Sequence, residues 1–172
     1  MHLRSLSLFL CLCLPTVSFT ACGSRSSKRW VSKTSGTSFE LPNDPSWKQI
    51  PAPYPEGKLV LTRTNQSAAI IFVEYTQPID PFKEVDEVYA RSWERGYFRK
   101  TGGQKLSGEL FTFHGQKAYK LSEQLERNGR TARVTTILWA HRHKLFSISA
   151  TGFEGDPLAD PVIKAFVDSA QL

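Results

Sequence analysis

The chain has 172 residues, with 22 Lys and Arg against 16 Asp and Glu, for a formal net charge of +6 at pH 7. This basic excess is modest, and no stretch interleaves dense Lys and Arg with aromatic residues, which argues against a nucleic-acid-binding protein. An anionic membrane or polymer surface is a better match for such a charge.

The N-terminus has the order of residue types found in a secretory signal. Arg4 supplies a positive charge, and an apolar run, LSLFLCLCL, follows at positions 6–14 before Pro15. A run of about nine residues is far shorter than the roughly 20 that a helix needs to cross a bilayer. The sequence therefore predicts a cleaved signal segment over residues 1–21 and no transmembrane helix in the mature protein.

The end of this segment resembles the lipobox of bacterial lipoproteins. In the string Phe19-Thr20-Ala21-Cys22, a large apolar residue and small residues precede a cysteine, although the family usually has Leu where Phe19 stands. A cut by ordinary signal peptidase after Ala21 would leave bulky Phe19 at position −3, which is unfavourable. The resemblance implies that the Cys22 thiol receives a diacylglyceryl group, that cleavage occurs before Cys22, and that its new amine is acylated, for instance with palmitate.

Cysteine usage agrees with lipidation. Cys11 and Cys13 lie in the segment to be removed, so the mature chain keeps only Cys22 and forms no internal disulfide. The alternative is a soluble secreted protein with a chance cysteine, but a lone exposed thiol is a liability in an oxidising compartment. By resemblance to enterobacterial lipoproteins, Gly23 rather than Asp after the cysteine favours the outer membrane, facing the periplasm, if the host has one.

Residues 22–36 are predicted to form a flexible basic tether. The string GSRSSKRWVSKTSG at positions 23–36 is rich in Ser and Gly and has no apolar periodicity. Basic residues near an anionic bilayer contribute roughly 1 kcal/mol each, or they serve only to solubilise a linker. The candidate contacts with lipid headgroups are Arg25, Lys28, Arg29 and Lys33.

Residues 37–172 are predicted to form one domain of ordinary size. Alternating polar and apolar residues at Thr37–Leu41 predict an edge strand, and three prolines between Ile50 and Gly57 predict an extended loop. Residues 58–63 and 68–75 are rich in β-forming residues on either side of an Asn-Gln-Ser turn, which predicts a hairpin.

A long helix is predicted over residues 81–99. Asp80 and Pro81 suit a helix start, and Gly102-Gly103 suits its end. Apolar residues recur every three or four positions, at Phe82, Val85, Tyr89, Trp93 and Tyr97. We expect this stripe to pack in the core rather than to line a ligand groove.

The rest of the chain predicts an antiparallel meander and a short helix. The four predicted strands are Lys105–Phe113, Gln116–Leu125, Arg130–Ala140 and Leu145–Gly152, with turns at His114-Gly115, Asn128-Gly129 and Arg142–Lys144. Asn-Gly is the strongest short hairpin signal. A last helix begins near Asp160-Pro161, and its apolar face comprises Val162, Ile163, Phe166 and Val167. The fold class is therefore α+β, an antiparallel sheet with a long helix and a C-terminal helix packed on it.

This order of elements resembles the PsbP-like domains. The resemblance covers residues 37–172 and rests on the strings FELPNDPSW, FHGQKAYKL and VIKAFVDSAQ, each in the place where the family has a strand or helix of that kind. It implies an α/β/α sandwich. It also implies a noncatalytic binding or assembly module, because the family shares no catalytic motif, and it brings no cofactor.

Two groups of residues are candidates for catalytic or metal chemistry. His141 and His143 lie two residues apart on an extended chain and share a side, so with His114 they form a candidate metal site, although all three fall at predicted turns where exposed polar residues are common. Acidic residues at Glu84, Asp86, Glu87 and Glu94 are candidates for a hydrolytic carboxylate pair. Arg91 and Arg95, at four-residue spacing, favour surface ion pairs instead.

Two classes of function remain open. The favoured one is a membrane-anchored, noncatalytic lipoprotein that binds or assembles an unidentified envelope protein or polymer. The alternative is a metal-dependent or hydrolytic enzyme acting on an envelope polymer. An enzyme should show polar groups with perturbed pKa values converging in one pocket, whereas a binding module should show an exposed apolar or basic patch.

Overall fold

The computed structural model describes residues 28–76, 84–127 and 129–172. In these ranges the strands are β1 (Arg29–Val31), β2 (Ser38–Glu40), β3 (Trp47–Ile50), β4 (Gly57–Arg63), β5 (Ala68–Glu74), β6 (Gln104–Phe113), β7 (Gln116–Arg127), β8 (Arg130–His141) and β9 (Lys144–Gly152). The helices are α1 (Glu87–Thr101) and α2 (Pro161–Asp168), with a 3-10 turn at Pro157–Ala159 before α2. No helix in these ranges is both long enough and apolar enough to cross a membrane.

The strands build one large antiparallel sheet and one small one. Seven strands pair in the order β3-β4-β5-β9-β8-β7-β6, and β1 and β2 pair with each other. Successive side chains of a strand point to opposite faces. In β8, Ile137 and Trp139 pack on the side of α2, while Leu138 and Ala140 pack on the side of α1. The helices thus cover opposite faces, and the predicted α/β/α sandwich is confirmed.

The face under α2 carries the apolar core. Trp139, which is fully buried, stacks on Phe146 at 5.5 Å between ring centroids and on Phe72 at 6.1 Å. Phe39 from β2 bridges to α2, where it stacks on Phe166 at 4.8 Å. The small sheet is therefore part of this core, because β2 inserts its aromatic ring between α2 and the large sheet.

The N-terminal segment is packed where the sequence predicted a tether. β1 pairs with β2, with Trp30 opposite Phe39, and the Trp30 ring lies 5.8 Å from that of Phe72. The tether prediction is therefore wrong for residues 28–36, and the domain begins before Thr37. The apolar area that Trp30 buries explains the difference. The remainder of the predicted tether, residues 22–27, lies outside the described residues.

Helix α1 begins later than predicted and ends where predicted. Asp86 is its N-cap, and its carboxylate accepts a hydrogen bond of 2.7 Å from the backbone N–H of Tyr89. Residues 84–86 are not helical, so the predicted start is wrong, and Asp80, Pro81 and Phe82 themselves lie outside the described residues. Gly102 ends the helix in the left-handed conformation at φ 67°, as a glycine at this position readily does.

A strand that the sequence did not predict, β3, precedes the extended loop, and the loop itself lies where it was predicted. β3 ends at Ile50 and pairs with β4, which begins at Gly57, so only residues 51–56 remain as connection. Trp47 explains why β3 forms: its ring is buried, and the Arg63 guanidinium lies over it at 5.1 Å. The prolines fall between the two strands, where no ladder hydrogen bond is required of them.

The predicted hairpins are formed. His114 and Gly115 connect β6 to β7 with φ values of 45° and 80°, and Arg142 and His143 connect β8 to β9 with φ values of 48° and 62°. Two residues at positive φ match the twist of the flanking strands. β7 and β8 pair as far as Arg127 and Arg130, and Asn128 of the predicted Asn-Gly turn lies outside the described residues.

Candidate functional site

The most organised polar groups lie between α1 and the β6–β7 edge of the sheet. We call this cluster the polar seam; its members are Glu94, Tyr97, Thr101, Lys105, Tyr119 and Glu123. Three- and four-residue spacing puts the helical members on one side of α1. Tyr119 and Glu123 are four apart on β7 and so share the face under that helix. Two carboxylates are thereby brought under one helix.

The first half of the polar seam is an ion pair with a tyrosine. Glu94 Oε1 lies 2.7 Å from Lys105 Nζ, and Glu94 Oε2 accepts a hydrogen bond of 2.7 Å from the Tyr119 hydroxyl. Lys105 also donates to that hydroxyl at 3.4 Å. Burial raises the pKa of Glu94, but the hydrogen bonds from Lys105 and Tyr119 lower it by more than burial raises it. The pKa of Glu94 is therefore below its ordinary value. The hydrogen bond to Glu94 raises the pKa of Lys105, so both groups stay charged.

The second half of the polar seam is a buried carboxylate held by hydroxyls. Glu123 is 1% exposed; its Oε1 accepts from the Tyr97 hydroxyl at 2.6 Å and its Oε2 from Thr101 Oγ1 at 3.2 Å. Both partners are neutral, so burial outweighs the two hydrogen bonds and raises the pKa of Glu123. Burial and the hydrogen bond to Glu123 also raise the pKa of Tyr97.

Two glycines make room for these groups. A Cβ atom at Gly108 would lie 2.0 Å from the Tyr119 hydroxyl, and one at Gly103 would lie 2.1 Å from Glu123 Oε2. In the polar seam each carboxylate oxygen already has a donor, and the described members of the seam include no cysteine, serine or histidine. The arrangement fixes α1 on the sheet.

A small cleft opens on the other face, between β6 and the 3-10 turn. Its volume is about 190 Å³. Ser122 and Thr135 hydroxyls lie 3.2 Å apart, and Thr135 donates to Asp156 Oδ1 at 3.1 Å. Asp156 also accepts from the backbone N–H of Leu158 at 3.0 Å, and Leu106 at the rim is 45% exposed. The carboxylate is thus a turn cap, and the hydroxyls serve as polar lining.

The three histidines do not form a metal site. His114 lies in the β6–β7 turn with its ring 4.5 Å from that of Phe113, while His141 ends β8 and His143 is in the β8–β9 turn. Among the described residues, no three His, Cys, Asp or Glu side chains are grouped to hold a metal ion. Burial, and then the charge of Arg142, lower the pKa of His141. The metal hypothesis is therefore wrong for this set.

The predicted acidic cluster divides among several separate roles. Glu87 pairs with Arg91, as predicted, and Glu84 pairs with Lys117 of β7 at 2.6 Å. Glu94 instead faces the sheet, where it pairs with Lys105 of β6. It lies three residues before Tyr97, which also packs on the sheet, so both residues are on the same side of α1. With Asp86 capping the helix, no two of these carboxylates face each other across a cleft.

The candidate membrane contacts also differ from one another. Lys28 and Lys33 are exposed. Arg29 instead fastens β1 to the domain: Nε donates to Ser38 Oγ at 2.9 Å, Nη2 donates to the Ser169 carbonyl at 2.7 Å, and Nη1 pairs with Glu40 at 3.3 Å. Cys22 and Arg25 lie outside the described residues, so lipidation and headgroup contact stay predictions.

No family model matches this chain, and no curated protein matches it in sequence. Its fold is similar to that of the cyanobacterial PsbP protein, CyanoP, from Synechocystis sp. PCC 6803, at 15% identity and a TM-score of 0.66 over 92% of this chain and 99% of that one. LpqN of Mycobacterium tuberculosis, described as involved in cell envelope biogenesis, is 16% identical with a TM-score of 0.52 over 86% of this chain and 92% of that one. A protein of Bacteroides thetaiotaomicron is 10% identical with a TM-score of 0.57, over 84% of this chain and 48% of that one. At these identities the likeness concerns the fold, which is PsbP-like.

Proposed function

We propose, with the PsbP-like fold as premise, that this chain is a lipid-anchored and noncatalytic binding or assembly module of a bacterial cell envelope. The observation that carries the proposal is the apolar run of residues 6–14 followed by Phe19-Thr20-Ala21-Cys22. A single acyl chain holds a protein only marginally, whereas the two or three chains on a lipoprotein cysteine hold it durably. In this proposal the thiol of Cys22 is the point at which the lipid is attached.

The noncatalytic part of the proposal is supported by the hydrogen bonds and the exposure of the polar groups. In the polar seam, Glu94 and Glu123 have donors on both oxygens, and Glu123 is 1% exposed. An active site normally keeps a perturbed group accessible to substrate. The cleft beside Asp156 is accessible, but its carboxylate is committed to capping a turn. These observations disfavour the alternative of a hydrolytic or metal-dependent envelope enzyme.

The fold neighbours agree with a role in the envelope. LpqN is described as involved in cell envelope biogenesis, and CyanoP is a PsbP protein; neither description names an enzymatic activity. The proposed location is therefore the cell envelope, and the proposal names an unidentified envelope protein or polymer as the partner and no cofactor. Gly23 favours the outer membrane, facing the periplasm, where the host has one.

Metabolic labelling with a radioactive fatty acid such as palmitate tests the anchor. The wild-type protein should be labelled, and Cys22→Ala should remain an unlabelled, uncut precursor. Cys13→Ala is the matched control, because that cysteine leaves with the signal segment and its loss should not affect labelling. A Cys22→Ala protein that is cut and released normally would refute lipidation. Labelled protein found only with inner-membrane markers would refute the outer-membrane assignment.

Co-purification tests the binding role. The wild-type protein, solubilised in detergent and crosslinked in intact cells, should retain an envelope component that Cys22→Ala loses, because the anchor brings the domain to its partner. Hydrolysis of isolated envelope polymer by the purified protein, abolished by Glu94→Gln or Asp156→Asn, would favour the enzyme alternative instead.

A further inference from the structure

We infer that the anchor holds the domain with its β1 side against an anionic membrane surface, so that α1 faces away from the bilayer. This inference rests on the proposed lipidation of Cys22 and adds an orientation to it. We call the β1 side the membrane-facing side, defined by Lys28, Val31 and Lys33.

The first step is the length of chain between anchor and fold. Lys28 already belongs to the domain: its carbonyl accepts a hydrogen bond of 2.8 Å from the Leu41 N–H, and β1 begins at the next residue. Six peptide units separate Cys22 from Lys28. Even fully extended, they span no more than about 20 Å.

The second step compares this reach with the size of the domain. A compact domain of about 145 residues has a radius of gyration near 15 Å and is therefore roughly 35–40 Å across. β1 lies on the α2 side of the large sheet, because Trp30 packs on Phe72, whereas α1 covers the other side. Because the linkage is shorter than the domain is wide, the face to which it attaches lies nearer to the membrane than the opposite face does.

The third step is the chemistry of the membrane-facing side. Val31 is 54% exposed, and Lys28 and Lys33 on either side of it are exposed and make no ion pair with any described residue. An apolar side chain between basic ones suits the interface of an anionic bilayer. The outer face of α1 has similar chemistry, with Val88 75% exposed and exposed Arg95 two turns further along the same side of the helix. Composition therefore does not choose between the two faces, and the linkage length does.

Quenching of a site-specific dye tests the orientation. The mature chain has only Cys22, whose thiol is acylated, so Val31→Cys and Val88→Cys each provide one free thiol for labelling. Each acylated protein is reconstituted into phosphatidylglycerol-containing vesicles with a headgroup nitroxide lipid. We expect most of the fluorescence at position 31 to be lost and the fluorescence at position 88 to stay near that of vesicles without nitroxide.

Three further variants separate linkage length from charge. A Gly-Ser insertion of about 20 residues after Gly23 adds a coil whose mean span is about 25 Å, and it should reduce the difference between the two positions. Reversal of both lysines (Lys28→Glu with Lys33→Glu) should reduce quenching at position 31. The matched reversal on α1 (Arg99→Glu with Lys100→Glu) should leave that quenching unchanged.

The possible outcomes distinguish this inference from the proposed function. Mass spectrometry of the N-terminal peptide first establishes acylation, and a protein without the acyl mass would overturn the proposed function together with the orientation. An acylated protein with equal quenching at the two positions, or with stronger quenching at position 88, would overturn the orientation alone and leave the lipoprotein proposal standing.

Discussion

The two faces of the seven-stranded sheet bury their helices by different means. Under α2, aromatic and aliphatic side chains from all seven strands form one apolar cluster with α2 and β2, and Phe72, Trp139 and Phe146 are almost completely buried. The Arg63–Asp160 ion pair, at 2.7 Å, lies at the N-terminus of this helix. Under α1, the contact is made by half-buried Tyr89, Trp93 and Tyr97, with the carboxylates of the polar seam at the C-terminal half of the helix. Apolar burial dominates the contact with α2, whereas a mixture of rings and hydrogen bonds makes the contact with α1.

The difference predicts how each face contributes to the stability of the domain and to the pH dependence of that stability. Burial of apolar area stabilises by about 25 cal/mol per Å² at any pH, so the α2 face should set the stability of the domain. Buried carboxylates gain or lose stability with their charge, so Glu94 and Glu123 should make the α1 face contribute to the pH dependence of stability. On the α2 side, Glu74 and the Arg63–Asp160 pair should contribute as well, because the pKa values of Glu74 and Asp160 are lowered. The predictions below test this division, from the largest effect to the smallest.

Matched tryptophan truncations test where the stability resides. Trp139→Ala removes a fully buried ring with stacked neighbours and should lower the free energy of unfolding by about 3–5 kcal/mol. Trp93→Ala removes a half-buried ring that stacks on Tyr97 at 4.8 Å, and it should cost about 1–2 kcal/mol. Urea unfolding followed by circular dichroism compares them. Equal losses would show that the two faces contribute alike.

Glycine substitutions test the close packing of the polar seam. Gly108→Ala places a methyl group where the Tyr119 hydroxyl lies, so that its hydrogen bond to Glu94 is displaced, and we expect a loss of about 1–3 kcal/mol. Gly96→Ala is the control, because Gly96 is exposed inside α1 and a Cβ there would meet nothing within 4 Å. That change should stabilise by about 0.5–1 kcal/mol. A harmless Gly108→Ala would mean that the seam tolerates rearrangement.

Much of this architecture follows from local sequence signals. Strand periodicity, the glycine that ends α1 and the Asp-Pro start of α2 each depend on residues close in the chain, and the structure bears them out. The exception is the start of α1, where Asp80 and Asp86 are both capable caps and local chemistry does not rank them.

The missed features depend on contacts between distant segments. β1 lies in a Ser- and Lys-rich stretch whose composition is that of a linker, and only Trp30 indicates burial. The polar seam needs Glu94 and Lys105 from α1 and β6 to meet Tyr119 of β7, and no spacing along the chain encodes that meeting. The role of Gly103 and Gly108 likewise depends on distant neighbours, because each leaves room for a side chain of β7, Glu123 or Tyr119.

Conservative carboxylate variants test the pH dependence. The pKa of Glu123 is raised in the folded state, so its stabilising contribution is complete below the unfolded pKa and is lost as pH rises through the folded pKa. Glu123→Gln should therefore gain stability relative to wild type as pH rises from acid to neutral. The pKa of Glu94 is lowered, so its contribution is present above the unfolded pKa and lost as pH falls through the folded pKa.

Glu94→Gln is thus a control with the opposite sign, and it should lose stability relative to wild type over the same rise in pH. Thermal unfolding of the three proteins between weakly acidic and neutral pH measures both slopes. Parallel curves for all three would show that neither carboxylate contributes to the pH dependence and would break the proposed division between the faces.

Histidine replacement should have the smallest effect, because the three histidines belong to neither buried face. Asn at positions 114 and 143 tolerates the positive φ of 45° and 62° found there, so the variant His114→Asn, His141→Gln, His143→Asn introduces no new backbone strain. We expect its free energy of unfolding to change by less than about 1 kcal/mol, as is usual at surface positions. Zinc should leave the melting temperature of both proteins unchanged. If zinc raised it for the wild type alone, these histidines would bind the metal, and the conclusion that they form no metal site would be wrong. A larger loss without a zinc effect would point to half-buried His141, and the single His141→Gln variant would then reproduce it.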